Sequence, residues 1–419
     1  MFQRDEAMLC FGARDIPRAY GLNAKISRYM LHEMFLNYGG QFGFPLKAGG
    51  RVEVARMYIW VDYHKDIWGS VDQYVKLLLD DEMIPRRDLR YFPHWWTKPV
   101  YCTWRDQGYL TKHTYSHLHK TDGWDAGKKT TVDKEAAQSG LRYKAVNGSM
   151  VKQVIETVKR EKLPFGSIIL DSAWYVSPGQ WEPDPASFPD MRKTIDEIHA
   201  AGLKVILWMS VFMIDSSAKV AQNPEYLINK GEVFEEYPKP IIDFSHPKVQ
   251  EEYVKPMLKY LFSSEPGCLD ADGLKLDYFA AKIFPEHNMY DPSWRGEEAF
   301  IYNTIKLLND GMKKYKPDGC MIGVSAHPGF TDCQDLIRTY DVEGTQAQHR
   351  ERGRMINHFC PFNILSYDFV EDKAQWEEYF RIAEETNGRF QFSNILGIDE
   401  ITNTEEDYKF FRKVFKKWE

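Results

Sequence analysis

Residues Val151 to Met209 read VKQVIETVKREKLPFGSIILDSAWYVSPGQWEPDPASFPDMRKTIDEIHAAGLKVILWM, and this stretch repeats one structural grammar. Val151, Val154, Ile155 and Val158 fall at i, i+3, i+4 and i+7, the spacing of a helix with one buried face. Ser167–Asp171 (SIILD) follows as a short apolar strand ending in a carboxylate. A second helix near Met191–Ala201 stops at Gly202, which suits a C-cap, and Lys204–Met209 (KVILWM) is the next strand.

The same alternation extends in both directions. Val100–Trp104 (VYCTW) precedes it as a first strand. After a long insertion and a helix from about Pro247 to Leu261 come Gly273–Asp277 (GLKLD), a helix marked by Ile301, Ile305, Leu308 and Met312, and Cys320–Val324 (CMIGV). Leu336–Asp341 (LIRTYD), a helix from about Thr345 to Phe359, Ile364–Tyr367 (ILSY) and Phe390–Asn394 (FQFSN) complete the strands. Phe411, Val414, Phe415 and Trp418 mark a last amphipathic helix. Eight βα units within residues 98–419 predict an α/β fold, a (β/α)8 TIM barrel with insertions. A doubly wound open sheet also alternates strands and helices, but it would place a Gly-rich phosphate loop after the first strand, and none is present. Residues 1–97 lack this grammar, with a helix-like stretch at Asp72–Asp81 and a β-like run at Arg51–Trp60, and are read as a small N-terminal appendage or truncated domain.

Composition narrows the function. The chain has 419 residues, 43% hydrophobic and 27% charged, ordinary values for a globular protein with a large core. Its net charge of -7 and the lack of a long basic run argue against nucleic acid and anionic membranes as partners. Six cysteines (Cys10, Cys102, Cys268, Cys320, Cys333, Cys360) sit far apart with no CxxC pair and are expected to be reduced core thiols. The start, MFQRDEAMLC, is not a signal peptide, and no apolar run approaches a membrane span. The chain is therefore expected in the cytoplasm, or outside the cell if a leader has been removed. The aromatic share of 15% suits sugar stacking and equally suits core packing.

In a TIM barrel the reacting groups lie at the C-terminal ends of the strands. Here those ends carry Asp171, Asp277 and Asp341 on strands two, four and six, with no matching set of buried cations evident. Tyr367–Asp368 and Asn394 end strands seven and eight. Two carboxyl groups, one ionised and one protonated, are what cleavage of a glycosidic bond needs. Asp277 fits the ionised role, because Lys275 two residues earlier shares its face of the strand and would keep it charged. Asp341 fits the proton donor, with Asp332, Asp335 and Glu343 as alternatives. A metal hydrolase would show His pairs on the first strand, whereas His327 and His358 stand alone, so no metal and no cofactor are expected.

These strand ends resemble the α-glycosidase clan of glycoside hydrolase families 27, 31 and 36, with family 36 α-galactosidases most alike. Four segments carry the likeness: IILDSAWY (Ile168–Tyr175), GLKVILWM (Gly202–Met209), DGLKLDY (Asp272–Tyr278) and RTYD (Arg338–Asp341). The resemblance implies a retaining α-glycosidase with Asp277 as nucleophile and Asp341 as acid/base, 64 positions apart. It further implies Asp171 and Lys275 on sugar hydroxyls, Arg338 on a hydroxyl or on Asp341, His327 as a hydroxyl ligand, and Trp104, Trp174 and Trp208 as a hydrophobic wall. The substrate would be an oligosaccharide or glycoside, with homo-oligomer formation left open. Departures from the clan pattern are Ser172 in place of a second acid and Ser210–Val211 in place of Glu-Pro. They keep two alternatives in play: α-glucosidase or α-xylosidase activity, and a catalytically silent carbohydrate-binding barrel.

Overall fold

The computed structural model describes residues 2–4, 7–14, 20–26, 31–38, 48–50, 56–63, 66–115, 145–212, 214–232, 239–277, 288–294, 296–339, 345–368, 373–398 and 401–416. Eight parallel strands close on themselves in chain order: β1 (Val100–Cys102), β2 (Ser167–Leu170), β3 (Lys204–Ser210), β4 (Gly273–Asp277), β5 (Cys320–Gly323), β6 (Leu336–Arg338), β7 (Ile364–Tyr367) and β8 (Arg389–Phe392). The ring closes where Phe392 of β8 lies opposite Tyr101 of β1. The strands are buried on both faces, which is why their sequences read as nearly unbroken apolar runs. This is the TIM barrel expected from the sequence.

The surrounding helices are α1 (Trp104–Tyr115), α2 (Gly148–Glu161), α3 (Met191–Ala200), α4 (Lys255–Phe262), α5 (Glu297–Lys313), α6 (Gln346–Phe359), α7 (Trp376–Glu385) and α8 (Glu405–Phe415). Several begin at side-chain caps that satisfy otherwise unpaired N–H groups. Asn147 accepts from Met150 N at 2.9 Å, and Thr345 and Thr404 form capping boxes with Gln348 and Asp407. The α2 periodicity read from the sequence is a buried stripe of Val151, Val154, Ile155 and Val158.

Some details differ from the sequence reading: β6 closes at Arg338 rather than Asp341, and β8 spans Arg389–Phe392 rather than Phe390–Asn394. β1 ends at Cys102, and Trp104 opens α1, because the Thr103 hydroxyl accepts Asp171 N at 2.9 Å and turns the chain out of the ladder. Between β5 and β6 the chain makes a 3₁₀ turn, Pro328–Phe330, where a full βα unit was expected. The aromatic residues largely build the core, as where Phe380 meets Phe390 at 4.3 Å between ring centroids and Phe392 meets Phe411 at 4.9 Å. All six cysteines are free and buried.

At the base of the barrel, charged side chains gather around the strand starts. Arg87 donates to Asp335 at 2.6 Å and to the Thr331 and Gln334 carbonyls, and the Trp96 indole donates to Asp318 O at 3.1 Å. Asp335, an alternative proton donor in the sequence reading, therefore lies at the end of the barrel remote from Asp277, fixed also by Lys313 and Met321 N. Upstream, strands Phe2–Arg4, Ala7–Ala13 and Met57–Asp62 form an antiparallel sheet. Helix Ile67–Asp80 packs on α6, with Trp68 stacked on His358 at 5.0 Å. Among the described residues no helix is long and apolar enough to cross a membrane.

Asp272, 3% exposed just before β4, accepts from Val205 N at 3.0 Å and meets His199 Nε2 at 2.6 Å and Lys204 Nζ at 3.0 Å. Burial alone would push its carboxyl up, but His199, the Val205 N–H and Lys204 outweigh it and hold it below the usual carboxylate range. A carboxyl depressed in the folded state adds stability above its unfolded pKa, and that stability is lost as pH falls through the folded value. Urea midpoints of the parent should therefore fall more steeply below pH 3.8 than those of Asp272→Asn. Parallel pH slopes would show that Asp272 carries no linked proton.

Candidate active site

The mouth of the barrel is reached by following the strands to their C-terminal ends, where side chains from non-adjacent strands meet across the interior. Lys275 on β4 has β3 and β5 as ladder neighbours. Its ammonium nevertheless reaches Asp171 Oδ2, just past β2, at 2.7 Å, and lies 3.8 Å from Cys102 Sγ on β1. Such contacts are made only through the barrel's interior. The Cys102 thiol in turn donates to Asp171 Oδ2 at 3.1 Å. Both members of the ion pair are 4% exposed, so the pair is sealed beneath the mouth. Burial pulls the Lys275 ammonium down, yet Asp171, with Asp368, more than offsets it and raises the pKa, so Lys275 stays charged. Burial pushes the Cys102 thiol well up, which keeps it neutral.

Asp277 ends β4 two residues later, on the same face as Lys275, and its side chain is 20% exposed. Both of its oxygens are held: Oδ2 accepts the Trp208 indole N–H at 3.1 Å, and Oδ1 accepts Arg338 Nη2 at 3.2 Å. The cation that meets Asp277 is thus Arg338 of β6, while Lys275 is paired with Asp171. This corrects the expectation that Lys275 would be the partner of Asp277. The cause is geometric: sharing a strand face places two residues on the interior side, and the tilt of the barrel decides which carboxylate each one reaches.

Arg338 is itself buried, at 1% exposure, with Nη1 donating to Asp368 Oδ2 at 2.6 Å and Nη2 also 3.4 Å from Leu276 O. Asp368, just past β7, is 2% exposed and accepts from the Gln391 amide of β8. The expected shortage of buried cations is likewise corrected, since Lys275 and Arg338 both lie among the acids. Asp368 and Gln391 were not among the predicted site residues, although the strand-end rule that selected Asp277 applies equally to Tyr367–Asp368.

The tryptophans divide. Trp208 faces Asp277 through its N–H and stacks on Tyr175, rings 5.8 Å apart and 10° from parallel. Trp174 is fully buried, its indole donating to Trp208 O at 2.9 Å, so it supports the floor and offers no face to a sugar. Trp104 is half-buried at the start of α1. Ser172, standing where the clan has a second acid, lies 3.1 Å from the Tyr175 hydroxyl, and Ala173 beside it has a φ of 81°. A non-glycine residue held in that region is strained, and such strain gathers at functional sites. His327 accepts Gly329 N at 3.0 Å and caps the 3₁₀ turn after β5, and burial lowers its pKa to about 4, so its ring is neutral. Asp332 accepts from the Tyr302 hydroxyl at 3.0 Å. Asp341 and Glu343 lie outside the described residues.

Fold and site together define a closed (β/α)8 barrel with a carboxylate presented at the end of β4 and buried ion pairs behind it. The chain belongs to the glycosyl hydrolases of family 31, whose TIM-barrel domain model matches residues 135–361. That family lies within the clan read from the sequence. Among curated proteins none matches the chain. Among solved structures it is similar in fold to a GH31 α-xylosidase from a soil metagenome complexed with xylose (TM-score 0.61, 12% identity, 97% of this chain and 60% of that one). It is similar also to a cycloalternan-degrading enzyme from Trueperella pyogenes (0.61, 14%, 92% and 52%) and to a GH36 α-galactosidase from Geobacillus stearothermophilus (0.59, 11%, 99% and 54%). The chain spans 60% or less of the length of each of these structures.

Replacing Lys275 with Met would leave Asp171 buried without its cation, at a cost of about 3–5 kcal/mol. Urea unfolding should register that loss and recover part of it in the Lys275→Met/Asp171→Asn double variant. Additive losses would show that the two groups are not coupled.

Proposed function

We propose that this chain is the catalytic barrel of a retaining α-glycoside hydrolase that removes a terminal α-linked sugar by double displacement. The observation that carries the reading is Asp277: its carboxylate reaches the mouth at 20% exposure while the arginine holding it is sealed behind it. In the first step an Asp277 oxygen bonds to the anomeric carbon as the glycosidic C–O bond breaks, and Asp341 gives its proton to the departing oxygen. In the second, Asp341 takes a proton from water, the water oxygen bonds to the anomeric carbon, and the Asp277 carboxylate leaves. Trp208 and Arg338 keep Asp277 aligned through both steps. The three carboxyl groups Asp171, Asp277 and Asp368 against the two cations Lys275 and Arg338 favour the positive charge that develops on the sugar.

Support comes also from the family and from the Trueperella pyogenes enzyme, which has been solved in complex with a covalent intermediate. Galactose is the sugar favoured by the sequence likeness, and glucose and xylose are the alternatives within the clan. Aryl α-galactoside, α-glucoside and α-xyloside assays separate them. Asp277→Asn should abolish turnover of whichever substrate is cleaved, and a 2-fluoro sugar should label the peptide containing Asp277. Asp341→Asn should slow an alkyl glycoside by about 10²–10⁴-fold while sparing the first step with an activated aryl leaving group. Near-parental turnover by Asp277→Asn would sink the assignment.

A further inference from the structure

We infer that Asp368 is a positioning residue for the nucleophile, acting through Arg338 to set how strongly the guanidinium grips Asp277. The inference rests on the reading of Asp277 as nucleophile. Arg338 presents planar donors in a fixed fork, so pulling on one arm orients the other. Its short arm, 2.6 Å, goes to Asp368, and its longer arm, 3.2 Å, goes to Asp277. Of these two carboxylates, Asp368 holds the guanidinium at the shorter distance, and the nucleophile shares it.

Asp368 is anchored on every side. Gln391 of β8 donates to Oδ1, Asp368 N donates to Thr339 Oγ1 at 3.3 Å, and the Tyr379 hydroxyl of α7 donates to Asp368 O. At 2% exposure it is sealed beneath the mouth, so it acts on the reacting atoms through Arg338. Lys275 follows the same rule, its closest carboxylate being the buried Asp171. Each interior cation is therefore committed to a sealed acid.

A retaining mechanism gives this division a purpose. The same carboxylate must first attack and later depart. A buried arginine acting on Asp277 alone would stabilise its negative charge strongly, making it a weaker nucleophile and a better leaving group. Sharing the guanidinium with Asp368 moderates that pull and balances the two steps. The charged and titratable groups linked to Asp277 through this network include Arg338 from β6, Asp368 from β7, Lys275 from β4, Asp171 beyond β2 and Cys102 from β1.

The test uses the full chain and the aryl glycoside it cleaves best. Asp368→Asn keeps the side-chain shape and removes the charge. The acid limb of kcat/KM should move to lower pH by about one unit. Formation of the glycosyl-enzyme should slow about tenfold, and the fraction of enzyme held as that intermediate at steady state should fall. A milder variant, Gln391→Met, removes a donor from Asp368, strengthens its hold on Arg338 and should move the limb the opposite way; it serves if Asp368→Asn fails to fold. A uniform loss of rate, with limb and intermediate fraction unmoved in the folded variants, would reduce Asp368 to a structural role and overturn the proposal. Fluorosugar labelling of the parent separates the two readings: labelling away from Asp277 removes both, whereas labelling at Asp277 with an unmoved limb removes this one alone.

Discussion

Charge buried inside a closed barrel must be answered by charge of the opposite sign within hydrogen-bond reach, and the interior of this protein is arranged around that requirement. Taking an ammonium or a guanidinium out of water is expensive unless a carboxylate and further hydrogen bonds replace the lost hydration. Lys275 and Arg338 are both sealed, and each has a carboxylate within 2.7 Å. These pairs tie β2 to β4 and β6 to β7, and the arm from Arg338 to Asp277 adds β4 to β6. The ladder fixes which strands are neighbours. The charges fix what happens across the middle, and the presentation of Asp277 follows from both.

Much of the fold was legible because strands covered on both sides leave a plain trace. SIILD, KVILWM and GLKLD could only be buried segments of this size with helices between them, and each is a barrel strand. The stop at Cys102 was less visible, because the Thr103 hydroxyl that ends β1 bonds to Asp171, 68 positions away. The missing helix between β5 and β6 could be suspected from the Pro328–Gly329 pair alone. It was masked by a uniform strand-helix expectation applied to every unit.

The candidate site was legible by position and not by partnership. Strand-end reasoning found Asp171 and Asp277, and the family resemblance added Arg338; the structure brings them together with Lys275 across the interior. It misassigned the lysine because side-chain period says only that Lys275 and Asp277 face inward. Which inward-facing residues touch depends on strand tilt and stagger, a property of the whole ring. Trp174 illustrates the same limit: an aromatic following a site carboxylate looks like a sugar platform, yet its indole faces Trp208 O below the floor. The aromatic content, equally readable as stacking surface, went mainly to packing around β8, α7 and α8.

Three acids and two cations, with Asp277 at the barrel mouth and the rest sealed just beneath it, also bear on what else can lodge there. A phosphorylated or sulfated sugar would be repelled as it entered, in a region of low dielectric where repulsion is poorly screened. A sugar-shaped ring bearing a protonated nitrogen would be drawn in beside Asp277, since it carries from the outset the positive charge that a glycoside acquires only in passing. If Asp277 is the nucleophile proposed above, iminosugars are the inhibitors to expect there, and anionic saccharides the ligands to be excluded.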